Sequence, residues 1–276
     1  MTRACVIGWP IEHSRSPLIH GYWLKRYGID GSYTKVAVKP DDVGTFLRAL
    51  EANGFTGCNV TVPHKESALA VAKVRDPSAQ AVGAANTLWL EHGVLNAANT
   101  DTYGYMTHLG RNAPHWRHRD APVCILGAGG AARAIVYGFL QAGVGEVRIF
   151  NRSRERADVL VTVFGKRVRA YDWDKRTDLS RDAAVLVNTT SLGLKGVGDP
   201  GIDFAGFHPA TVVSDIVYVP LATEFLKAAR QSGLATVGGL GMLLHQAVPG
   251  FERWFGVRPE VTDELTALIE ADVARV

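Results

Sequence analysis

Cysteine is scarce in this chain: Cys5, Cys58 and Cys124 are the only three in 276 residues. Each sits in an apolar run, where a thiol behaves as a small hydrophobe. The odd count, with no C-x-x-C and no His/Cys ligand spacing, argues against a disulfide framework and a zinc site, so no metal is expected. Apolar runs of membrane-spanning length are absent. The opening MTRACVIGWP lacks the long apolar core of a secretory signal. These absences exclude a membrane partner and point to a cytoplasmic location. Excess charge is missing too, since 30 basic residues face 27 acidic ones for a net +3. The basic residues are scattered, and nucleic-acid binding would need a basic stripe with stacking aromatics. The densest basic stretch, RNAPHWRHRD (Arg111–Asp120), reads as a solvated connector. No internal repeat or low-complexity tract is visible.

What is present is an alternation of short β-rich runs with helical patterns, the signature of an α/β protein with mainly parallel sheets. Ala4–Pro10 reads as a strand, followed by a helix with Ser16 as N-cap, Pro17 at its first position and Gly28 as its stop. Ser32–Val38 reads as a strand and residues 41–54 as a helix capped by Asp41 or Asp42. Gly57–Pro63 is a third strand, and its helix runs from about His64 to Arg75. NTLWLEHGVLNAANTD predicts a hairpin turning at His92-Gly93. The connector from Asn112 to Pro122 then separates a second set of strands and helices. Near the carboxyl end, GGLGMLLHQAVPGFERWFG and TDELTALIEADVARV read as helices, with Pro249-Gly250 kinking or dividing the first.

GAGGAA (Gly127–Ala132) follows the apolar strand VCIL and opens an apolar helix, matching G-x-G-x-x-A in its required setting. The first glycine allows the tight turn. The second lets backbone approach a pyrophosphate, and Ala132 lets helix and strand pack closely. Helix amides then attract phosphate charge. An NAD site would place a carboxylate at the end of the next strand. Here EVRIF ends in Asn151-Arg152-Ser153, with Arg154 and Arg156 close behind. Guanidinium groups grip a 2′-phosphate that a carboxylate would repel, so NADP(H) is the expected cofactor.

The first hundred residues carry polar groups where a fold alone does not need them. Ser14 and Ser16 bracket Arg15 before a helix, where hydroxyls and free amides can hold a carboxylate. Asn59 and Thr61 alternate with Val60 and Val62 and so share one strand face, the valines pointing into the sheet packing. Asn86 stands at a strand start and Asp101 at a helix start, where each taken alone reads as a structural cap. Together they suggest a pocket for a small polyol bearing a carboxylate.

HSRSP, NVTVPHK, GAANTL, NTD, GAGGAAR, NRS, DIVYVPLATEFL and GLGMLLHQA, in this order, resemble the shikimate dehydrogenase family from about Ile7 to Phe255. The resemblance implies two α/β domains flanking a cleft. Residues 1–101, completed by 240–276, would bind substrate, and a Rossmann-like domain at 102–239 would bind NADP. It implies reversible hydride transfer between NADPH and 3-dehydroshikimate, giving shikimate for aromatic amino-acid biosynthesis. Ser14 and Ser16 would hold the substrate carboxylate, with Tyr218 nearby. Asn59, Thr61, Asn86 and Gln246 would bond ring hydroxyls or order the pocket. Lys65 and Asp101 would be the catalytic pair. Gly127, Ala128, Gly129, Gly130 and Ala131 would cradle the pyrophosphate, and Asn151, Arg152, Ser153 and Arg156 the adenosine phosphate. Thr189, Thr190, Ile216, Gly239 and Met242 would line the nicotinamide side.

A reduced ketone oxygen needs a proton or a positive neighbour, and Lys65 supplies either. Easy proton release and an ion pair that holds the ammonium charged are opposite demands, so both roles stay open. His64 stands where the family often has an aromatic, and either joins the proton network or packs beside the pocket. The nearest alternative function is a quinate or aminoshikimate dehydrogenase using NAD(P). A non-catalytic NADPH-binding module is a further one, against which both Lys65 and Asp101 are retained. Oligomeric state stays open, a homodimer being one option.

Overall fold

In the computed structural model, which describes residues 1–118 and 120–275, the chain forms two compact units. One comprises Met1–Asp101 with Leu244–Ile269, and the other comprises Thr102–Leu243 with the residues from Glu270 onward.

The first unit begins with β1 (Thr2–Gly8), α1 (Ser16–Arg26), β2 (Gly31–Ala37), α2 (Val43–Arg48) and β3 (Gly57–Val60). It continues through α3 (Lys65–Val71), β4 (Val74–Arg75), α4 (Pro77–Val82), β5 (Thr87–Glu91) and β6 (Val94–Ala98). Its six-stranded sheet has the order β2-β1-β3-β5-β6-β4. β1 pairs in parallel with β2 and β3, whereas β5 runs antiparallel to both β3 and β6. Cys5, Ile7, Cys58, Val60 and Leu88 pack one face with Leu47 and Leu50 of the neighbouring helical segment. Ala4 and Val6 are buried as well, as expected of parallel strands covered on both sides.

Several local expectations shift. Arg15, not Ser16, is the N-cap of α1, and its carbonyl accepts from the amides of Leu18 (3.0 Å) and Ile19 (3.3 Å). Arg15 makes no side-chain cap bond, and the hydroxyl that takes an amide at this helix entrance is that of Ser14, which accepts from the Ser16 amide at 3.3 Å. α2 stops at Arg48, and turn hydrogen bonds such as Asn53 N to Ala49 O lead into β3. The helix after β3 ends at Val71 because Ala72 is extended. A new helix, α4, then starts with Asp76 as N-cap and Pro77 in its first turn, a start signal present in the sequence. The hairpin forms as expected, with His92 (φ 50°) and Gly93 (φ 74°) both in the left-handed region that its two-residue turn requires.

The second unit contains α5 (Asp101–Asn112, its first residue counted with the first unit), β7 (Val123–Leu126), α6 (Gly130–Gln141) and β8 (Val147–Asn151). It continues with α7 (Arg154–Phe164), β9 (Val168–Asp172), β10 (Val185–Asn188), β11 (Val212–Asp215), α8 (Glu224–Gln231) and β12 (Ala235–Val237). All strand pairs are parallel in the order β12-β11-β10-β7-β8-β9, the doubly wound arrangement whose switch point lies between β7 and β10. Alternation along the strands sends Val123, Ile125 and Val185 into one core and Cys124, Leu126 and Leu186 into another. The chain is thus α/β throughout, with a Rossmann-like second unit.

The stretch Arg111–Asp120 is less solvated than its composition suggests. Ala113 and Trp116 are buried in the core behind β7, and residues 114–118 form a 3-10 turn. Arg119 lies outside the described residues. Near the carboxyl end, α9 (Leu240–Phe255) and α10 (Asp263–Val273) follow. Pro249 does not divide α9. Burial of Ala247, Val248, Phe251 and Trp254 holds the helix through the missing donor, and the Trp254 indole donates to the Leu88 carbonyl at 2.9 Å. Among the described residues, no helix is long and apolar enough to cross a membrane, and no cluster of potential metal ligands occurs.

Candidate functional site

The antiparallel hairpin decides where the polar residues of the first unit meet. β3 ends at Val60, and β5 begins beside it, with Asn59 opposite Thr87. β6 then returns to that same end, with Ala98 opposite Thr87. The carboxyl end of β3, the start of β5 and the exit of β6 therefore converge. This brings together the segments carrying Lys65, Asn86 and Asp101.

Lys65 is the first residue of α3 and Asp101 the first of α5. The Lys65 ammonium donates to Asp101 Oδ2 at 2.5 Å. The other carboxylate oxygen, Oδ1, accepts from the Asn86 amide at 2.8 Å. Asn86 Oδ1 accepts from the Thr100 amide (2.8 Å) and from the hydroxyls of Thr87 (3.0 Å) and Thr100 (3.1 Å). Its oxygen is therefore saturated, and its NH2 is left to reach Asp101 and, at 3.5 Å, Gln246 Oε1. The Lys65 side chain keeps 29% of its surface exposed and Asp101 keeps 12%, so the pair is sheltered but reachable.

Asn59 is buried, and its amide donates to Asn86 O (3.0 Å) and Thr87 Oγ1 (3.1 Å). Its oxygen accepts from the Tyr33 hydroxyl at 2.6 Å. These bonds tie β3 to β2 and to the start of β5. The Ser16 hydroxyl also interacts with Tyr33. Burial raises the Tyr33 phenol's pKa well above its ordinary value, and the Cys5 and Cys58 thiols add to that rise while Ser16 opposes it. Sequence reasoning missed Tyr33, which sits unremarkably in the strand run SYTKVAV. Thr61 lies just past the strand; its amide bonds Ile7 O at 2.9 Å and its carbonyl takes the His64 amide at 3.0 Å. Its hydroxyl is left unengaged among the described residues.

Val62 does not point into the packing: it is 70% exposed, because the ladder stops at Val60 and residues 61–64 turn out of the sheet. His64 is buried, with Nε2 2.7 Å from the Val38 carbonyl, so it packs and does not face Lys65's partners.

In the second unit, Gly127 follows β7 with φ 107°, and a Cβ there would lie 2.7 Å from Thr189 Oγ1. Ala128 and Ala131 are half-buried. Gly129, the N-cap of α6, and Gly130 have open space where side chains would stand. This bare helix entrance has the shape a pyrophosphate requires. Thr189 and Thr190 follow β10, across the switch point from Gly127. β8 ends in Asn151, whose amide donates to Ser153 O at 2.7 Å, and the Ser153 hydroxyl donates to Glu155 at 2.7 Å. That bond is the main reason the exposed Glu155 carboxyl sits below its usual pKa. Arg154 is committed to Asp158 (3.1 Å) and Asp172 (3.2 Å). Arg152 and Arg156 are exposed and carry no such pairing among the described residues, which leaves two guanidinium groups for an anion.

The nicotinamide-side candidates gather after β10 and β11. Ile216 N donates to Asn188 O at 3.1 Å. A side chain at Gly239 would overlap the Ile216 carbonyl, so glycine is required there. Met242 donates its amide to Gly239 O at 3.1 Å and packs on the core behind β7. Tyr218 is half-buried just beyond Ile216. Behind them stand two buried residues that sequence reasoning passed over, Asn188 and Asp215. Burial pushes the Asp215 carboxyl up to about 6, opposed by hydrogen bonds from the Val217 amide, Thr223 and Asn188. An aspartate inside the apolar run VVSDIVYV was the available signal.

The family profile for the shikimate dehydrogenase substrate-binding domain matches residues 6–88. That for shikimate/quinate 5-dehydrogenase matches residues 111–194, and the shikimate 5′-dehydrogenase C-terminal domain matches 239–263. A protein of Brucella abortus (strain S19) named shikimate dehydrogenase (NADP(+)) is 54% identical over 276 residues, covering 99% of this chain and 95% of the relative. The chain belongs to the shikimate dehydrogenase family. A second shikimate dehydrogenase (NADP(+)), from Mesorhizobium japonicum, is 53% identical over 98% of this chain and 96% of the relative. Among solved structures, shikimate 5-dehydrogenase from Thermus thermophilus in complex with NADP(H) and shikimate superposes with a TM-score of 0.86 at 34% identity. It covers 100% of this chain and 99% of its own. Quinate dehydrogenase from Corynebacterium glutamicum in complex with NAD gives 0.89 at 28% identity, over 97% and 98%.

Proposed function

We propose that this chain is an NADP(H)-dependent shikimate dehydrogenase, reducing 3-dehydroshikimate to shikimate reversibly in aromatic amino-acid (chorismate) biosynthesis. The observation that carries the reading is the Lys65–Asp101 pair, oriented by Asn86 where three chain segments converge. NADPH supplies the hydride. As the ketone becomes an alcohol, its oxygen gathers negative charge, and the Lys65 ammonium stabilises that charge and offers a proton. Asp101 fixes the ammonium and balances it. With Oδ1 held by Asn86, only Oδ2 is presented to Lys65.

Ser14 and Ser16 receive the substrate carboxylate, with Tyr218 beside it. Asn59, Thr61, Asn86 and Gln246 bond the ring hydroxyls or order the pocket, Asn86 through its hold on Asp101. The first unit is in this reading the substrate domain and the second the cofactor domain. Gly127 to Ala131 cradle the pyrophosphate, and Asn151, Arg152, Ser153 and Arg156 hold the adenosine phosphate. Thr189, Thr190, Ile216, Gly239 and Met242 flank the nicotinamide. A cytoplasmic setting belongs to the same reading. The two unpaired guanidinium groups favour NADP(H) over NAD(H). The test is kcat/KM of the purified protein for shikimate with NADP against quinate with NAD. A preference for the first pair is expected, and a preference for the second overturns the assignment.

A further inference from the structure

Asn188 and Asp215 are the last residues of β10 and β11 and stand opposite each other in the parallel register. Both are buried, at 0% and 1% exposure. Asp215 Oδ1 accepts from the Asn188 amide (3.0 Å) and from the Val217 backbone amide (2.9 Å). Its Oδ2 accepts from the Thr223 hydroxyl at 2.7 Å. Among the described residues no basic side chain pairs with it, so this carboxylate is held by neutral donors alone. A buried carboxylate without a cation is costly to keep. Here it serves three donors at once, and an apolar residue in its place would leave the Val217 amide, the Thr223 hydroxyl and one Asn188 N–H without this acceptor.

The reason lies in Asn188. A side-chain amide is nearly symmetric in shape, and only its partners decide which end is oxygen. An ionised carboxylate accepts and never donates, so Asn188 must turn its NH2 toward Asp215. The same NH2 reaches the Leu192 carbonyl at 3.0 Å. Its oxygen is thereby aimed at the turn beyond β10, where it accepts from the Thr190 amide (3.1 Å) and the Thr190 hydroxyl (2.7 Å). On the other side, the Val217 amide ties the carboxylate to the segment carrying Ile216 and Tyr218. One acceptor therefore shapes both turns that follow β10 and β11.

We propose that Asp215 is a positioning residue for cofactor binding: by tying the Asn188 amide and the Val217 backbone amide to one carboxylate oxygen, it holds together the turns that present Thr190 and Ile216 to the nicotinamide half of NADP(H), without touching the cofactor. The inference rests on the cofactor reading above. Asp215→Asn conserves volume but replaces the charged acceptor by a neutral amide, so Asn188 loses one of the two acceptors that hold its NH2, the Leu192 carbonyl remaining, and Val217 loses a charge-assisted bond.

The experiment measures NADPH affinity by nucleotide fluorescence alongside steady-state kinetics and the melting temperature. Asp215→Asn should raise the NADPH Kd about tenfold, the scale of one charge-assisted hydrogen bond, with KM for 3-dehydroshikimate moving by less than about twofold. Thr223→Val, which removes the Oδ2 donor and with it the side-chain cap of α8, should raise Kd by about threefold and provides the readout if the aspartate variant does not fold. A folded Asp215→Asn protein with wild-type Kd, or a loss of melting temperature with Kd unchanged, reduces Asp215 to a structural residue and overturns the proposal. So does a Thr223→Val protein of wild-type affinity when the aspartate variant is unfolded. Wild-type protein that fails to bind NADPH at all sinks the cofactor reading, and this inference with it.

Discussion

Replacing His20 by phenylalanine should make the first unit markedly more resistant to acid. The imidazole is fully buried, stacked on Tyr33 with centroids 3.9 Å apart and flanked by Trp23 and Trp254, each at 5.6 Å. Neither ring nitrogen has a hydrogen-bond partner among the described residues. Burial drives its pKa from the ordinary 6.5 down to about 3, and the nearby Asn59 side chain opposes this only in part. The amide of Asn59 is already spent on Asn86 and Thr87, and its oxygen on Tyr33. The unfolded chain therefore takes up this proton first. Stability from His20 is complete above about pH 6.5 and drains away as pH falls toward 3. Each pH unit in that window costs about 1.4 kcal/mol, so lowering the pH from about 7.5 to about 4.5 costs about 2.7 kcal/mol. Phenylalanine keeps the stacking and has no proton to accept. Urea unfolding followed by tryptophan fluorescence suits the test, because Trp23 and Trp254 lie against the ring. The wild type should lose about 2.7 kcal/mol more than His20→Phe over that pH range. Equal losses in the two proteins would refute the reasoning.

At the pair itself, Lys65→Ala should lower kcat by about 10²-fold or more at saturating substrate, and an unchanged kcat would remove Lys65 from the mechanism. Gly127→Ala places a Cβ 2.7 Å from Thr189 Oγ1 at a φ of 107°. It should cost about 1–3 kcal/mol in thermal unfolding and weaken NADPH binding. Substituting Arg152 and Arg156 together by alanine should raise the NADPH Kd about tenfold or more while leaving NADH binding unaltered. In the wild type, rising salt should erode the preference for NADPH over NADH.

Features that depend on nearby residues were legible in the chain itself. The glycine turn, the strand before it, the His92–Gly93 hairpin and Lys65 at a helix start each follow from a few adjacent residues. The polar residues around Lys65 were legible as a set, since several occur where packing would not ask for them. What escaped depends on partners distant in sequence. Val62 continues the alternation of its strand, yet the sheet ends two residues before it. Pro249 is a helix breaker by itself, but buried neighbours on both sides carry α9 past it. Asn59 is legible as one of a polar set, but its bond from Tyr33, 26 positions away, is not. Arg154 and Arg156 look alike in sequence, and only the fold brings Asp172 to Arg154.

The hairpin between β5 and β6 has one more use. β5 leaves the neighbourhood of Lys65 and runs five residues before turning, a span of about 17 Å. Its exposed tip at His92–Gly93 is thus on the far rim of the sheet. The chain offers there a handle for a fluorophore, a surface tether or new termini, joined to the reacting end by two strands of continuous hydrogen bonding. A probe at that rim would sense the loosening of this sheet while leaving Lys65, Asn86 and Asp101 as they are.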